Sequence, residues 1–484
     1  MTTKEEDIVY DVIVVGAGIS GLSAAYYLKK ENEQLRLCIL EGRNRIGGRL
    51  KAATSKSGKH VDLGGMWVGT QQLQIQELLK ELGIETYPQY VNGKNIYDDG
   101  YQLNHYVGDI PSISILSLLD ADRLLKRIDR ISKEMNADDI AKSPEAAKWD
   151  SISVASYARK YCWTSQGLKF VSLVVRLVFG YESEQVSMLY FLNDVRAAGG
   201  MHQLIDSDGG GQDSRIHGGT IALLTALSDF IIARNGELQF STPIQSVDYS
   251  NAEKLHIRCS TGQNYFCKRV IFAIPPSALS RIQFTPTPSP QKVALWTRSH
   301  AGCYIKVVVM YETAFWRDKG FSGSALVESP TKELPISAVF DYCSRGDQHP
   351  AFCVFICADS GIDFAALSPE QQRQAVQKHL VRLFGEEANA IVEMYIMDWL
   401  HDPDGNIWGG GCPVDVPALG FYRMNYCELK LPMKDNNSTP CVFFAGTETA
   451  NGWVGYMDGG IEAGKRTCGE VIASLSPGTV VSGK

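Results

Sequence analysis

The feature that most constrains this chain is a run of glycines set between an apolar strand and a helix. Residues 10–15 (YDVIVV) form a short β-branched stretch of the kind found in strands buried on both faces. Gly16, Gly18 and Gly21 follow without a gap, ahead of a helical spacing at Leu22, Ala25, Tyr26 and Leu28. Gly16 permits the tight turn, Gly18 lets backbone approach a pyrophosphate, and Gly21 lets helix and strand pack closely. The helix start offers free N–H groups and the positive end of a dipole to phosphates. Residues 36–40 (RLCIL) read as a second strand, and Glu41 follows, 20 residues beyond Gly21, where an acid reaches a ribose 2′-hydroxyl. Together these predict a dinucleotide-binding unit, in which NAD and FAD fit equally at this point.

The next residues separate the two. Arg43, Arg45, Gly47, Gly48 and Arg49 form R-x-R-x-G-G-R directly after the acid, suited to a second backbone approach with guanidinium forks on phosphate oxygens. This arrangement resembles the FAD-binding start of the flavin amine oxidase family. Residues 61–70 (VDLGGMWVGT) read as a strand running into a turn at Gly64 and Gly65, and the resemblance places this segment, with Met66 and Trp67, against the flavin ring. A second specific stretch, residues 443–466 (FFAGTETANGWVGYMDGGIEAGKR), also resembles the family, and within it the monoamine oxidase branch. A strand there feeds a polar loop, an aromatic pair and a Gly-rich helix start, which predicts another helix N-terminus aimed at a ligand.

At 484 residues the chain is too long for one simple core, so two or three domains are expected. The fold class expected is α/β, α+β overall, with a Rossmann-like FAD-binding domain interleaved with a substrate domain of antiparallel sheet and helices. The FAD-binding part is assigned to residues 1–86, 217–297 and 396–475, the substrate part to 87–216 and 298–395, and a polar tail to 476–484. Apolar spacing predicts helices over 113–130, 152–179 and 184–198, with a loop over 138–150 and another over 208–212. Residues 244–249, 255–259 and 264–274 read as a β-meander, and 304–311, 334–342, 352–358 and 393–399 as further strands. Helices are expected over 369–384 and 458–475.

A formal charge of −7 excludes a nucleic-acid footprint. The twelve cysteines include no C-x-x-C pair and no metal-ligand spacing, so no metal is expected. With the short acidic stretch before Tyr10 they point to a reducing, cytoplasmic setting. No apolar run long enough for a spanning helix occurs, so no transmembrane anchor is expected.

The resemblance carries the site residues. It implies FAD contacts at Gly16, Gly18, Ser20, Gly21, Glu41, Arg43, Gly48, Arg49, Gly64, Gly65, Met66, Trp67, Ile244, Trp399, Gly446, Glu448, Tyr456 and Met457. It makes Tyr456 one wall of an aromatic cage over the flavin, where a π face aligns a neutral amine. It makes Lys306, a lysine within an apolar strand, the holder of a water beside the flavin; an edge-strand lysine facing solvent is the alternative. It implies a covalent link from Cys412, in W-G-G-G-C, to the flavin, a thiolate being the competent nucleophile. It places Gln212, Leu177 and Ile205 along the substrate passage, and a small residue, Ala338, where a larger gate would narrow it. The chain departs from the family at Pro413, where the second cage tyrosine is expected; Trp408 and Trp453 are candidate replacements. The segment 399–412 is also longer by a few residues.

The activity implied is FAD-dependent oxidation of a primary or secondary amine to an imine and then an aldehyde, with dioxygen reduced to hydrogen peroxide. The expected partners are the amine and dioxygen, with a homodimer also allowed. Polyamine oxidase and L-amino acid oxidase are the rivals on the same fold, and a catalytically silent flavoprotein is the rival outside enzymes.

Overall fold

The computed structural model describes residues 8–108, 114–206, 209–343, 350–401 and 410–475. It is a mixed α/β architecture built on two large sheets. In the first, Val9–Val15 lies between Leu37–Leu40 and Asn264–Phe272, parallel to both. Val15 stands opposite Leu40 on one side and Phe272 on the other. Three strand ends therefore finish level, and the chain leaves the first of them through Gly16, which is where an open parallel sheet forms its ligand crevice. Val12, Ile13, Val14 and Val270 to Phe272 are fully buried, as strands covered on both faces require. Glu237–Gln239 extends the sheet in parallel beyond Leu37–Leu40. Asn264–Phe272 changes partner along its length. Its first half pairs antiparallel with Leu255–Cys259, as a meander would, and its second half pairs in parallel with Pro440–Phe444.

The first helix, Ile19–Glu31, packs against the closing helix, Met457–Leu475. Glycine sets that distance. A Cβ at Gly464 would fall 2.7 Å from the Ser20 carbonyl oxygen, and one at Gly460 would fall 2.9 Å from Ser20 Oγ. The Gly-rich character of the closing helix, read from sequence as a ligand-facing start, thus also serves close helix packing.

The second sheet runs in the order Glu393–Asp398, Tyr304–Met310, Ala351–Cys357, Ala338–Asp341, Phe321–Val327, Lys94–Asp98, Leu103–Tyr106. Its pairings are antiparallel with one exception: Phe321–Val327 runs parallel to Lys94–Asp98. Along Tyr304–Met310 the two-residue period divides the side chains. Ile305, Val307 and Val309 face the core under helix Pro369–Phe384, where Trp316, Phe352 and Phe384 stack. Val308 and Met310 face the opposite cluster with Val61, Leu63, Met66 and Trp399. Lys306 shares that second face.

Several predicted elements change. The helix expected over 152–179 is two, Val154–Tyr161 and Ser165–Phe179. The break is made by polar caps: Asp120 Oδ2 accepts from the backbone of Trp163 and Thr164, and Thr164 Oγ1 accepts from the Gly167 N–H. Ser187 likewise caps Met188–Ala197, so the helix expected from 184 starts later. The predicted loop over 138–150 contains a short turn, Ile140–Lys142, and a helix, Ala146–Ser151. The strand expected over 334–342 is limited to Ala338–Asp341. Trp408, Asp208 and the 476–484 tail lie outside the described residues. Among the described residues no helix is long and apolar enough to cross a membrane, and no group of side chains has a metal-ligand arrangement.

Candidate active site

A single cavity runs from the glycine turn of the first sheet to the inner face of the second. At its near end Gly16 has φ +101°, and a Cβ there would lie 2.8 Å from the Ala273 carbonyl oxygen. Gly21 lies behind the wall, since its Cβ would sit 1.9 Å from the Gly16 oxygen; it closes helix onto turn. A Cβ at Gly18 would meet only the Gly47 carbonyl oxygen, at 3.9 Å, and as the helix N-cap Gly18 supplies no side-chain acceptor to the first-turn N–H groups. Ser20 also lines the cavity.

Glu41 Oε2 accepts from the Ala17 N–H at 2.7 Å, and Oε1 accepts from the Arg43 N–H at 2.9 Å. The carboxylate is thereby fixed at the rim, with lone pairs left for a sugar hydroxyl. Arg45 does not face the ligand space but donates to the carbonyls of Ile46 and Gly48, holding the second glycine turn in shape. Gly48 has φ +57°, and a Cβ there would lie 3.5 Å from Gly18 Cα. Arg43, Gly48, Arg49 and Ile244 are on the cavity wall. This uncapped helix start, two bare glycine turns and a fixed acid form a cradle that fits the adenosine diphosphate half of FAD.

Arg49 is held deeper. Its Nη1 donates to Glu448 Oε1 and to the Pro413 carbonyl, both at 2.7 Å. Glu448 is buried behind this pair and does not reach the wall, and neither does Gly446. Burial raises the Asp415 carboxyl to about 6, with the neighbouring Glu448 charge adding to the rise.

The far end brings Gly64, Gly65, Met66, Trp67, Lys306, Trp399, Cys412, Tyr456 and Met457 together. Lys306 is on an interior strand, not an edge, and is 1% exposed. Its Nζ donates to the Gly64 carbonyl at 2.9 Å and approaches Met66 Sδ at 3.1 Å. Burial lowers its pKa, with Cys353 and Asp62 opposing. Trp67 is fixed by a 2.9 Å bond from Nε1 to Gln89 and by ring contact with Phe340.

Cys412 is placed by glycines that tolerate no side chain. A Cβ at Gly410 would overlap the Leu400 oxygen at 1.6 Å, and one at Gly411, with φ +121°, would lie 2.6 Å from Ala301 Cβ. Burial pushes the Cys412 thiol up to about 11, against the pull of Arg49 and Lys306. Tyr456 projects from a turn in which Thr447 Oγ1 accepts from the Gly455 N–H and donates to the Tyr456 carbonyl. Its ring meets Trp453 edge to face at 5.1 Å. Burial raises its hydroxyl pKa, with a contribution from Asp194.

Leu177 and Gln212 line the cavity, but Ile205 does not: it ends helix Met201–Ile205 and packs into the helical cluster. Ala338 lies under the wall, buried among Trp67, Phe340 and Phe355. Sequence reasoning missed Asp194, Tyr304 and Phe355, all on the wall. Asp194 had a readable signal, an acid on the buried face of an apolar helix; the two aromatics carried none beyond strand alternation.

Comparison with known proteins agrees with this geometry. Residues 19–472 match the family described as flavin containing amine oxidoreductase. The chain is 32% identical over 476 residues to amine oxidase [flavin-containing] A of Canis lupus familiaris, covering 98% of this chain and 87% of that one. It superposes on the cyclohexylamine oxidase from Brevibacterium oxydans IH-35A with a TM-score of 0.88 at 25% identity, covering 97% and 100% of the two chains. A putrescine oxidase double mutant gives the same score and identity, covering 96% and 100%. With the family match spanning almost its whole length and the nucleotide cradle in place, the chain belongs to the flavin-containing amine oxidoreductases.

Proposed function

We propose that this chain is an FAD-dependent oxidase of primary or secondary amines, of the monoamine oxidase kind. The observation that carries the reading is the single cavity joining the nucleotide cradle to Lys306 and Tyr456. FAD, when bound, accepts a hydride equivalent from the amine α-carbon and passes the electrons to dioxygen, giving hydrogen peroxide. The residues do the rest. The first-turn N–H groups and Glu41 hold the nucleotide, and Arg49 stiffens the wall. Lys306 keeps a donor at the inner end of the cavity. Tyr456 offers a π face that aligns the amine. Imine release and hydrolysis then yield the aldehyde.

An amino-acid substrate is disfavoured because the arginines on the described cavity wall, Arg43 and Arg49, both stand at its cofactor end. We further propose a covalent flavin through Cys412, supported by its place on the cavity wall beside Trp399 and Lys306, where Arg49 and Lys306 offset part of the burial that raises its thiol. A cytoplasmic setting is in keeping with twelve free cysteines. The test is a peroxide assay on flavin-loaded protein with amines, polyamines and amino acids. Peroxide from simple amines is expected, along with colour that survives acid precipitation and is lost in Cys412→Ser. A fully loaded protein that yields no peroxide with any amine would overturn the oxidase reading.

A further inference from the structure

Asp194 lies on helix Met188–Ala197 and lines the cavity on the side of Tyr456. It is 4% exposed, and its Oδ2 is buried without a hydrogen-bond partner. An ionised carboxylate in such a place is costly unless something cationic meets it. Among the described residues none hydrogen-bonds to Oδ2, and the one cation whose charge eases the cost, Arg196, is bonded elsewhere. Arg196, on the same helix, donates to Asn193 Oδ1 and to the Asn451 carbonyl. Tyr190, one turn earlier, donates to the Asp415 carbonyl. The helices packed against this one spend their charges elsewhere. Asp120 is taken by Arg123, Asp129 by Lys133 and the Met201 N–H, Arg127 by Tyr157, and Asp150 by the Arg423 N–H. Lys306 is tied to Gly64 and Met66.

The missing cation is one that amine substrates bring. In water they arrive as ammonium ions, whereas oxidation requires the free lone pair. Pro413, which has no π face, stands where the second cage tyrosine is expected, and Asp194 lies on the wall beside the remaining one, Tyr456. Resting on the amine-oxidase reading, we propose that Asp194 receives the ammonium of the reacting amine beside Tyr456 and takes its proton. The N–H bond breaks with its electron pair staying on nitrogen, an O–H bond forms on Asp194, and an ion pair becomes a neutral acid and a neutral amine. A low-dielectric pocket favours that neutral pair. Burial pushes the Asp194 carboxyl up to about 8, so the ionised form that accepts the proton grows as pH rises through that value, and once protonated the acid holds the proton firmly. The same carboxylate repels an amino acid's own carboxylate.

The test uses charge, not turnover alone. α,α-Dimethylbenzylamine has no α-hydrogen and cannot be oxidised; 2-phenyl-2-propanol is its uncharged isostere. Binding of each to the holoenzyme is read from the visible flavin spectrum just above pH 8, where the Asp194 carboxyl is ionised. Asp194→Asn should weaken the amine by at least about tenfold and the alcohol by less than about twofold, while Asp194→Glu keeps most of the preference. Asp194→Ser replaces the Asn variant should that one fail to load flavin. Equal weakening of both probes, or unchanged amine binding, overturns the assignment. Turnover of benzylamine by wild type separates the two failures. If it persists while the charge preference is unaffected by substitution, only the Asp194 role falls; if wild type oxidises no amine, the oxidase reading falls.

Discussion

Tyr456 and Asp194 share one wall and differ in what they lose when changed. The Tyr456 ring is fixed from behind by Trp453 and through its backbone by Thr447. Truncating it removes a face toward the substrate without touching the nucleotide cradle. Tyr456→Leu should therefore lower turnover by about tenfold or more, roughly 1.4 kcal/mol of transition-state stabilisation, at unchanged flavin content. Wild-type turnover across an amine panel would show that no aromatic wall aligns the substrate. Asp194 also predicts a pH effect on stability. Its carboxyl is raised in the folded chain from the ordinary 3.8 to about 8. Between those values the folded state binds more protons than the unfolded one, so this group's contribution is present at low pH and is lost as pH rises toward 8. In flavin-free protein, Asp194→Asn should gain at least ~1 kcal/mol over wild type between pH 5 and pH 8. A stability difference that stays flat with pH would mean the carboxyl is not raised.

At the scale of elements, glycine decides which segments approach. The first and closing helices touch where Gly464 leaves room for Ser20 and Ala24. Gly464→Val should push them apart, cost about 1–3 kcal/mol and reduce flavin retention, because Ser20 and Met457 both line the cavity. An unchanged melting temperature would show the contact to be slack. This dependence on glycine explains what was legible in the sequence. The cradle, the Gly64–Trp67 turn and the approach to Cys412 are written locally, as glycines at fixed offsets from strands and helix starts. The helical layer is not. There, apolar spacing overruns the caps at Thr164 and Ser187, and Ile205, expected on the passage, is half-buried against the helical cluster instead. Asp194 is readable as an acid on an apolar helix, but only tertiary packing sets it beside Tyr456 on the cavity wall.

Across the whole molecule, the site is assembled from pieces distant in sequence, and Arg49 with Glu448 is the clasp that joins them. The two are 399 positions apart and bonded at 2.7 Å and 3.3 Å. The same guanidinium holds the Pro413 carbonyl, and Glu448 also accepts from the Asp415 N–H at 3.4 Å. One ion pair thus fixes the second glycine turn, the segment after Cys412 and the loop before Tyr456. Glu448 is 5% exposed, so removing its charge leaves a guanidinium facing the interior. Breaking one partner of such a pair costs about 3–5 kcal/mol, which sets an upper range here because Asp415 stands close enough to take over part of the pairing. Glu448→Gln should therefore lower the melting temperature by several degrees and loosen flavin, and the Asp415 carboxyl, freed from the Glu448 charge, should fall below its present value of about 6. Glu448→Asp, which keeps the charge on a shorter stem, should recover part of both losses. A Glu448→Gln protein with wild-type melting and full flavin would mean that the two ends of the chain are held together by packing alone.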